Sequence, residues 1–206
     1  MKGHGMMSEE QGAEAISLSV TGEAVALGPL RDDLIPLLAR WLDPETSRTL
    51  EISMLPWTTQ RLHTWFDQAV VADDECWFVA YERAGLRPIG VTGLNHLDFR
   101  DRTGEYNLVV GEKGARGKGY GTEITRLALD YAFTVLGLHN VWLRVYEYNP
   151  AAIRVYEKAG FVHIGRRHQC KLMGGTLWDV LMMECLASTF ESPVLGRIYR
   201  PDLQSD

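Results

Sequence analysis

The sequence predicts a single mixed α/β domain folded around one central sheet, and three observations lead there. Its 206 residues suffice for one domain with a full core but are few for two. Apolar patterns of strand period and of helix period alternate along the chain rather than segregating into separate halves. No internal repeat and no linker rich in Pro, Gly or Ser divides it.

The first strand is AVALGPL, Ala24–Leu30. A helix follows over Asp32–Leu42, where Leu34, Leu37, Leu38 and Trp41 recur at helical spacing and two acids occupy the first turn. A second helix starts with Thr58 or Thr59 as cap, and Leu62, Trp65, Phe66, Ala69 and Val70 give it an apolar face. Three strands come next, CWFVAYE, PIGVTGLNHL and GEYNLVVG, the last two joined by the polar turn DFRDRTG. Beyond a glycine-rich stretch a helix is predicted over Gly121–Leu136, with Ile124, Leu127, Ala128, Tyr131, Ala132 and Val135 as its core stripe. The strand NVWLRVY, a helix over Pro150–Ala159, the strand FVHIGRR and a last strand near LWDVLMMEC complete the series.

The domain is assigned to residues 21–188. Residues 1–20 read as a mobile N-terminal tail, because MKGHGMMSEEQGAEA lacks the apolar centre of a secretory signal. Residues 189–206 form a C-terminal tail whose Val194, Leu195, Ile198 and Tyr199 pack either on the domain or on a neighbouring subunit.

Composition, with 46% hydrophobic and 23% charged residues, confines disorder to the ends. No apolar run nears the roughly 20 residues that cross a bilayer, so no membrane partner is expected. Cys76, Cys170 and Cys185 are scattered and odd in number. They argue against a disulfide framework or a CxxC metal knuckle, favour a reducing cytoplasm, and read as small buried hydrophobes. The net charge of −6 argues against nucleic acid as a partner. The charge is uneven: residues 1–110 hold 9 Lys+Arg against 17 Asp+Glu, and residues 111–206 hold 12 against 10. Such halves suit a cationic and an anionic partner respectively, and equally fit an ordinary scatter of surface charge.

GEKGARGKGYGTE, Gly111–Glu123, carries the strongest local signal. A Walker A loop requires Ser or Thr after Gly-Lys, and Gly119 stands there instead. A G-x-G-x-x-G dinucleotide fingerprint fails as well, since its third glycine falls on Thr122 or Ile124. What remains is a loop, Arg116-Gly117-Lys118-Gly119-Tyr120-Gly121, between a strand ending near Val110 and a helix N-terminus. Free backbone N–H groups there, with Arg116 and Lys118 close by, suit a pyrophosphate and need no metal.

Downstream, YNPAAIRVYEKAGF places Asn149 as a helix cap, Pro150 at the first helical position and Gly160 at the stop. Ala152 and Tyr156 share one face of that helix. An R-x-x-G-x-G/A loop followed about thirty residues later by N-P-x-A-x-x-x-Y-E-K-x-G-F resembles the GNAT acetyltransferase superfamily. The likeness covers roughly Ala24–Leu186. It is nearest to the branch holding ribosomal-protein N-terminal acetyltransferases and spermidine N-acetyltransferases, and it weakens over Trp41–Trp57.

The resemblance implies a central, mostly antiparallel sheet of six to seven strands flanked by about four helices. It implies acetyl-CoA as acetyl donor, with the backbone of Arg116, Gly117, Lys118, Gly119, Tyr120, Gly121 and Thr122 around its pyrophosphate. The free edge of Asn107, Leu108, Val109 and Val110 would pair with the pantetheine arm, and Asn149, Ala152 and Lys158 would add contacts. Tyr156 becomes the general acid for the departing thiolate, and otherwise reads as a core aromatic. Glu105 becomes the general base, directly or through water, and otherwise reads as a surface carboxylate at a strand end. An alkylamine of pKa about 10.4 needs such a base, a peptide α-amine of about 7.7–8 far less.

Trp41 and Trp65 fit helix core faces, whereas Trp57, beside Pro56, is a candidate acceptor-pocket residue together with Glu105. His163 and His168 lack partners at metal-ligand spacing, so no metal is expected. No G-x-S-x-G elbow supports an acyl-serine route. The acceptor is a primary amine: a protein or peptide N-terminus, a polyamine or another small cation. The family also implies a homodimer. The competing reading is a catalytically silent acyl-CoA sensor, against which Glu105 and Tyr156 speak.

Overall fold

The computed structural model describes residues 16–50 and 55–199. Along the chain come β1 (Val20–Thr21), β2 (Val25–Pro29), α1 (Ile35–Trp41), α2 (Pro44–Ser47), α3 (Thr59–Ala69), β3 (Cys76–Glu82), β4 (Arg87–Asp98), β5 (Thr103–Val109), α4 (Tyr120–Asp130), β6 (Asn140–Tyr146), α5 (Pro150–Ala159), β7 (Val162–Met173), β8 (Thr176–Leu186) and α6 (Gly196–Tyr199). The eight strands form one sheet in the order β1-β2-β3-β4-β5-β6-β8-β7. Every neighbouring pair is antiparallel except β5–β6.

The predicted architecture holds, with small corrections. There is one strand and there are two helices more than expected: β1, α2 and α6, each too short to display a period. Only the cap announces α2, where the Asp43 carboxylate accepts the Thr46 amide at 2.8 Å and Pro44 opens the helix. The helix predicted from Asp32 begins as a 3₁₀ turn, Asp32–Leu34, and becomes α-helical at Ile35. The helix after the glycines turns π-helical over Tyr131–Val135, with the Leu136 amide reaching the Tyr131 carbonyl at 3.1 Å. Val70, read as part of the α3 face, is its exposed C-cap. Cys170 is exposed near the β7–β8 turn, so only Cys185 fully matches the buried reading and Cys76 is half-buried.

The sheet separates two cores, because alternate residues of a strand face opposite sides. On one side Ile124, Leu127 and Ala128 of α4 and Tyr156 of α5 meet Phe78, Leu94 and Tyr106. On the other, Ile35, Leu38 and Trp41 of α1 and Leu62 of α3 pack on Val91 and Trp77. Among the described residues no helix is long and apolar enough to cross a membrane.

Both chain ends of the described region are tied down. Val20 is buried and the Ser19 amide donates to the Leu27 carbonyl at 2.7 Å. After β8 the chain returns to α4, packing on its own domain. There buried Asp130 accepts from Ser192 Oγ (2.5 Å) and from the Val194 and Leu195 amides (2.9 and 2.8 Å). Leu195 is buried, while Ile198 and Tyr199 are exposed. Residues 1–15 and 200–206, the remainder of the two predicted tails, lie outside the described residues.

Asp130→Ala leaves two amides and the hydroxyls of Ser192 and Thr134 without this acceptor, at a cost of about 2–4 kcal/mol. The expected outcome is a lower melting temperature together with proteolytic cleavage within residues 189–199, read by thermal melts and mass spectrometry of the fragments.

Candidate active site

The parallel pairing of β5 and β6 lasts three residues, Thr103–Glu105 against Asn140–Trp142. Beyond it the strands diverge, so the edge of Asn107, Leu108 and Val109 has no partner on the β6 side, while β6 continues in register with β8. A cleft of about 560 Å³ opens at this split. It brings together Glu105, Leu108, Val109, Val110, Arg116, Gly117, Gly119, Gly121, Thr122, Asn149, Ala152, Tyr156 and Lys158, residues separated by up to 53 positions.

The glycine loop takes its shape from backbone conformations that glycine favours. Gly117 and Gly119 have φ of +78° and +86°, and Gly119 is the N-cap of α4. No neighbour lies within 4 Å of a Cβ built on either one, so backbone conformation, not space, requires glycine. The first-turn amides of Tyr120 and Gly121 have no intrahelical acceptor and carry the positive end of the helix dipole. The side chains of Lys118 and Tyr120 lie off the cleft wall: the Tyr120 hydroxyl donates to Glu82 at 2.7 Å, and the Lys118 ammonium is 3.9 Å from the same carboxylate. Arg116 also serves the loop's own structure, donating to the Val110 carbonyl (3.0 Å) and to Thr46 Oγ1 (3.1 Å). Together with Lys113, which pairs with Asp43 and Glu45 at 3.1 and 2.8 Å, it fastens α2 to the loop. The Thr46 amide and the Lys113 ammonium hold the Asp43 carboxyl down at about 2.

At the far side, the Asn149 side-chain oxygen caps α5 by accepting the Ala152 amide at 3.3 Å. Its amide NH₂ is then available on the cleft wall. Tyr156 is buried, in edge contact with Tyr106 and Phe161, and desolvation pushes its phenol up to about 12. The Tyr106 hydroxyl is committed elsewhere, between Thr92 and Thr125 at 2.9 and 3.0 Å.

Glu105 is 4% exposed rather than a surface carboxylate. Arg144 grips it with two bonds, Nε to Oε1 at 2.7 Å and Nη2 to Oε2 at 3.0 Å, and His96 Nδ1 lies 3.0 Å from Oε2. His96 sits where the β4–β5 register slips, at φ +51°. Three of the carboxylate's roughly four lone-pair sites are thereby used.

Sequence reasoning missed Arg48, Asn95, Arg144 and Arg154, all of which line the cleft. Arg154 was recoverable, since it lies four residues before Lys158 on α5. Arg144 was not, because nothing in NVWLRVY marks it as the partner of a residue 39 positions earlier. The cleft is basic: Arg48, Arg116, Arg144, Arg154 and Lys158 face Glu45 and Glu105, and both carboxylates are ion-paired. That suits phosphates and withholds free negative charge from a cationic acceptor.

Trp57 lines not this cleft but an adjoining cavity of about 130 Å³, bounded also by Trp41, Trp65 and Trp77. Trp41 and Trp65, read as core residues, thus join it as wall. Both cavities share Leu50 and Val109. His163 and His168 pair with Glu157 and Asp179 at 3.1 and 3.0 Å.

A split sheet edge above a glycine loop and a helix N-terminus defines a class, and the chain belongs to it: the acetyltransferase (GNAT) domain family, whose model matches residues 25–162. Among its relatives, the spermidine N(1)-acetyltransferase of Vibrio cholerae is 33% identical over 109 residues, 53% of this chain and 62% of that protein. Mouse alpha/beta-tubulin-N-acetyltransferase 9 is 26% identical over 159 residues, 70% of this chain and 64% of that protein. The crystal structure of a Vibrio cholerae spermidine N-acetyltransferase in complex with CoA and spermine superposes with a TM-score of 0.75 at 25% identity, covering 81% of this chain and 98% of that one.

Gly119→Ala forces a left-handed alanine, which costs roughly 1–2 kcal/mol. The loop can relax that strain by leaving its cradle geometry. Calorimetric titration with CoA should give a Kd raised about 10-fold, with little change in melting temperature.

Proposed function

We propose that the protein transfers an acetyl group from acetyl-CoA directly to a primary amine, with a proton-accepting path at Glu105 and Tyr156 on the leaving-group side. The observation that carries this reading is the unpaired edge Asn107–Val109, lying between the glycine loop and Tyr156 in one basic cleft. Acetyl-CoA supplies an activated acyl carbon, and the cleft's features fit it. The amides from Arg116 to Thr122 receive the pyrophosphate. The edge of β5 bonds the amide-bearing arm as one more strand, and the Asn149 NH₂ donates to it. Arg154 and Lys158 offer charge to further phosphate. A backbone N–H of Asn107–Val109 stabilises the oxyanion formed on attack.

Glu105 acts through water. With Arg144 and His96 on three of its lone-pair sites, one site remains to hold a water that takes the amine's proton. Tyr156, at about 12, stays protonated across the working range. A thiol is more acidic than that, near 8.5, so full transfer to a free thiolate is uphill by roughly 5 kcal/mol. Tyr156 therefore contributes a hydrogen bond to sulfur that strengthens as the C–S bond breaks.

The acceptor is read as a primary amine, and the domain as residues 21–188, with 1–20 and 189–206 flanking it. The Vibrio cholerae and mouse relatives are named for a polyamine and for tubulin, which brackets small-molecule and protein amines.

Thiol release from acetyl-CoA over a panel of polyamines, arylalkylamines, amino acids and peptides tests the reading; CoA binding with no turnover on any amine would leave a sensor. Tyr156→Phe should lower kcat about 10²-fold at every pH from 6 to 10. The shape of the profile should not change, because the phenol does not titrate there. Glu105→Gln, which can still bond Arg144, should lose about 10²-fold at pH 7 and progressively less toward pH 10, where the free amine no longer needs help. Melting temperatures of both variants check that the fold survives.

A further inference from the structure

The tryptophan-lined cavity has no part in holding acetyl-CoA as read above, yet it adjoins that site. Strand register fixes which side of the sheet it occupies. Val91 stands opposite Val109 and Val79, and Gly93 opposite Asn107 and Trp77, so all these side chains share the face that carries Glu105. That face is the one from which an amine reaches the split edge, with α1 and α3 forming its roof. The Trp77 indole lies so close to Gly93 that a Cβ there would collide with it, so only glycine leaves the ring its place beside the cavity.

The wall is almost wholly apolar, made by Trp41, Trp57, Trp65, Trp77, Leu50 and Val109. Trp77 Nε1 is satisfied by Glu75 at 2.6 Å, and Trp65 meets Trp77 edge-on at 5.6 Å. Trp57 Nε1, in contrast, is buried without a partner. A buried orphan donor costs stability unless a partner satisfies it. An apolar cavity of about 150 Å³ is known to hold one benzene ring, close to the about 130 Å³ found here. An aromatic ring suits the indole walls, which favour edge-to-face and offset stacking. Among the described residues, the carboxylates lining the two cavities, Glu45 and Glu105, are both ion-paired.

We infer that the acceptor is a primary amine bearing a single aromatic ring two or three bonds from the nitrogen, with the ring seated among Trp41, Trp57, Trp65 and Trp77. Val109 and Asn107 are alternate residues on one strand, roughly 7 Å apart, which sets that spacing between ring and reacting nitrogen. The inference rests on the acetyltransferase reading for the position of the amine, though the ring's binding does not require turnover.

The test is calorimetry on the CoA-bound protein with 2-phenylethylamine, ethylamine and spermidine, followed by turnover of the same amines and of peptides beginning Phe-Gly or Gly-Gly. The expected result is 2-phenylethylamine binding at least about 10-fold tighter than ethylamine or spermidine, the low end for burying one aromatic ring. Trp57→Phe, which keeps a ring but removes the N–H, should shrink that preference several-fold. Leu50→Trp, placed at the mouth, should abolish it. CoA affinity of each variant reports on the fold, and if Leu50→Trp disturbs it, Trp57→Phe decides. A preference for Phe-Gly over Gly-Gly identifies a peptide source, and a preference confined to 2-phenylethylamine a small-molecule one. Equal affinities, tightest binding of spermidine, or a ring preference untouched by both variants would overturn the inference. So would turnover of hexanoyl-CoA at the acetyl rate without ring preference, which would give the cavity to the acyl chain. Ring-selective binding with no acetyl transfer sinks the acetyltransferase reading and leaves this one standing; turnover without ring selectivity does the reverse.

Discussion

The structure depends on one interrupted ladder. Strands β5 and β6 run parallel for three residues and then part, and everything the cleft contains is arranged around that parting. Two different interactions hold it. On one face of the sheet the Arg144 guanidinium clasps Glu105 at the last paired position, fastening the strands where they would otherwise slide. On the other face Tyr156 packs edge-on against Tyr106 and Phe161, themselves tilted at 31° to each other, with ring centroids 5.9–6.1 Å apart. A charge pair with Glu105 buried and Arg144 half-buried does not rank high for stability, but it is costly to break on one side and so fixes register.

The loop that follows β5 inherits its position from this split. Its glycines turn the chain into α4, while α2 clamps it from the other wall through Lys113 and Arg116. Exposed ion pairs of this kind contribute little individually. Here they do geometric work, because they fix a four-residue helix that could not persist alone. They also neutralise Glu45, leaving the cleft with the surplus of positive charge that phosphates require.

The two cavities divide recognition by chemistry. The larger is basic and edged by open backbone, fit for a phosphorylated, amide-rich donor. The smaller is apolar and aromatic, and adjoins it through Leu50 and Val109. Four indoles from α1, α3, β3 and the segment before α3 converge there from separate stretches of chain.

The sequence by itself determined the fold class, the order of the longer elements and many of the residues that line the larger cleft. These rest on local physics: apolar period, a cap at Asn149, a stop at Gly160, and glycines placed where φ must be positive. It left out β1, α2 and α6, which are shorter than any period. It also placed Lys118 beside an anion when its side chain lies against Glu82, since a motif fixes backbone and not rotamer. Only the tertiary structure decided that Glu105 is buried with Arg144, that Arg116 braces α2, and that Trp41 and Trp65 wall a cavity. Each of these joins residues tens of positions apart, and such pairings are set by strand register and helix packing, which no local pattern encodes.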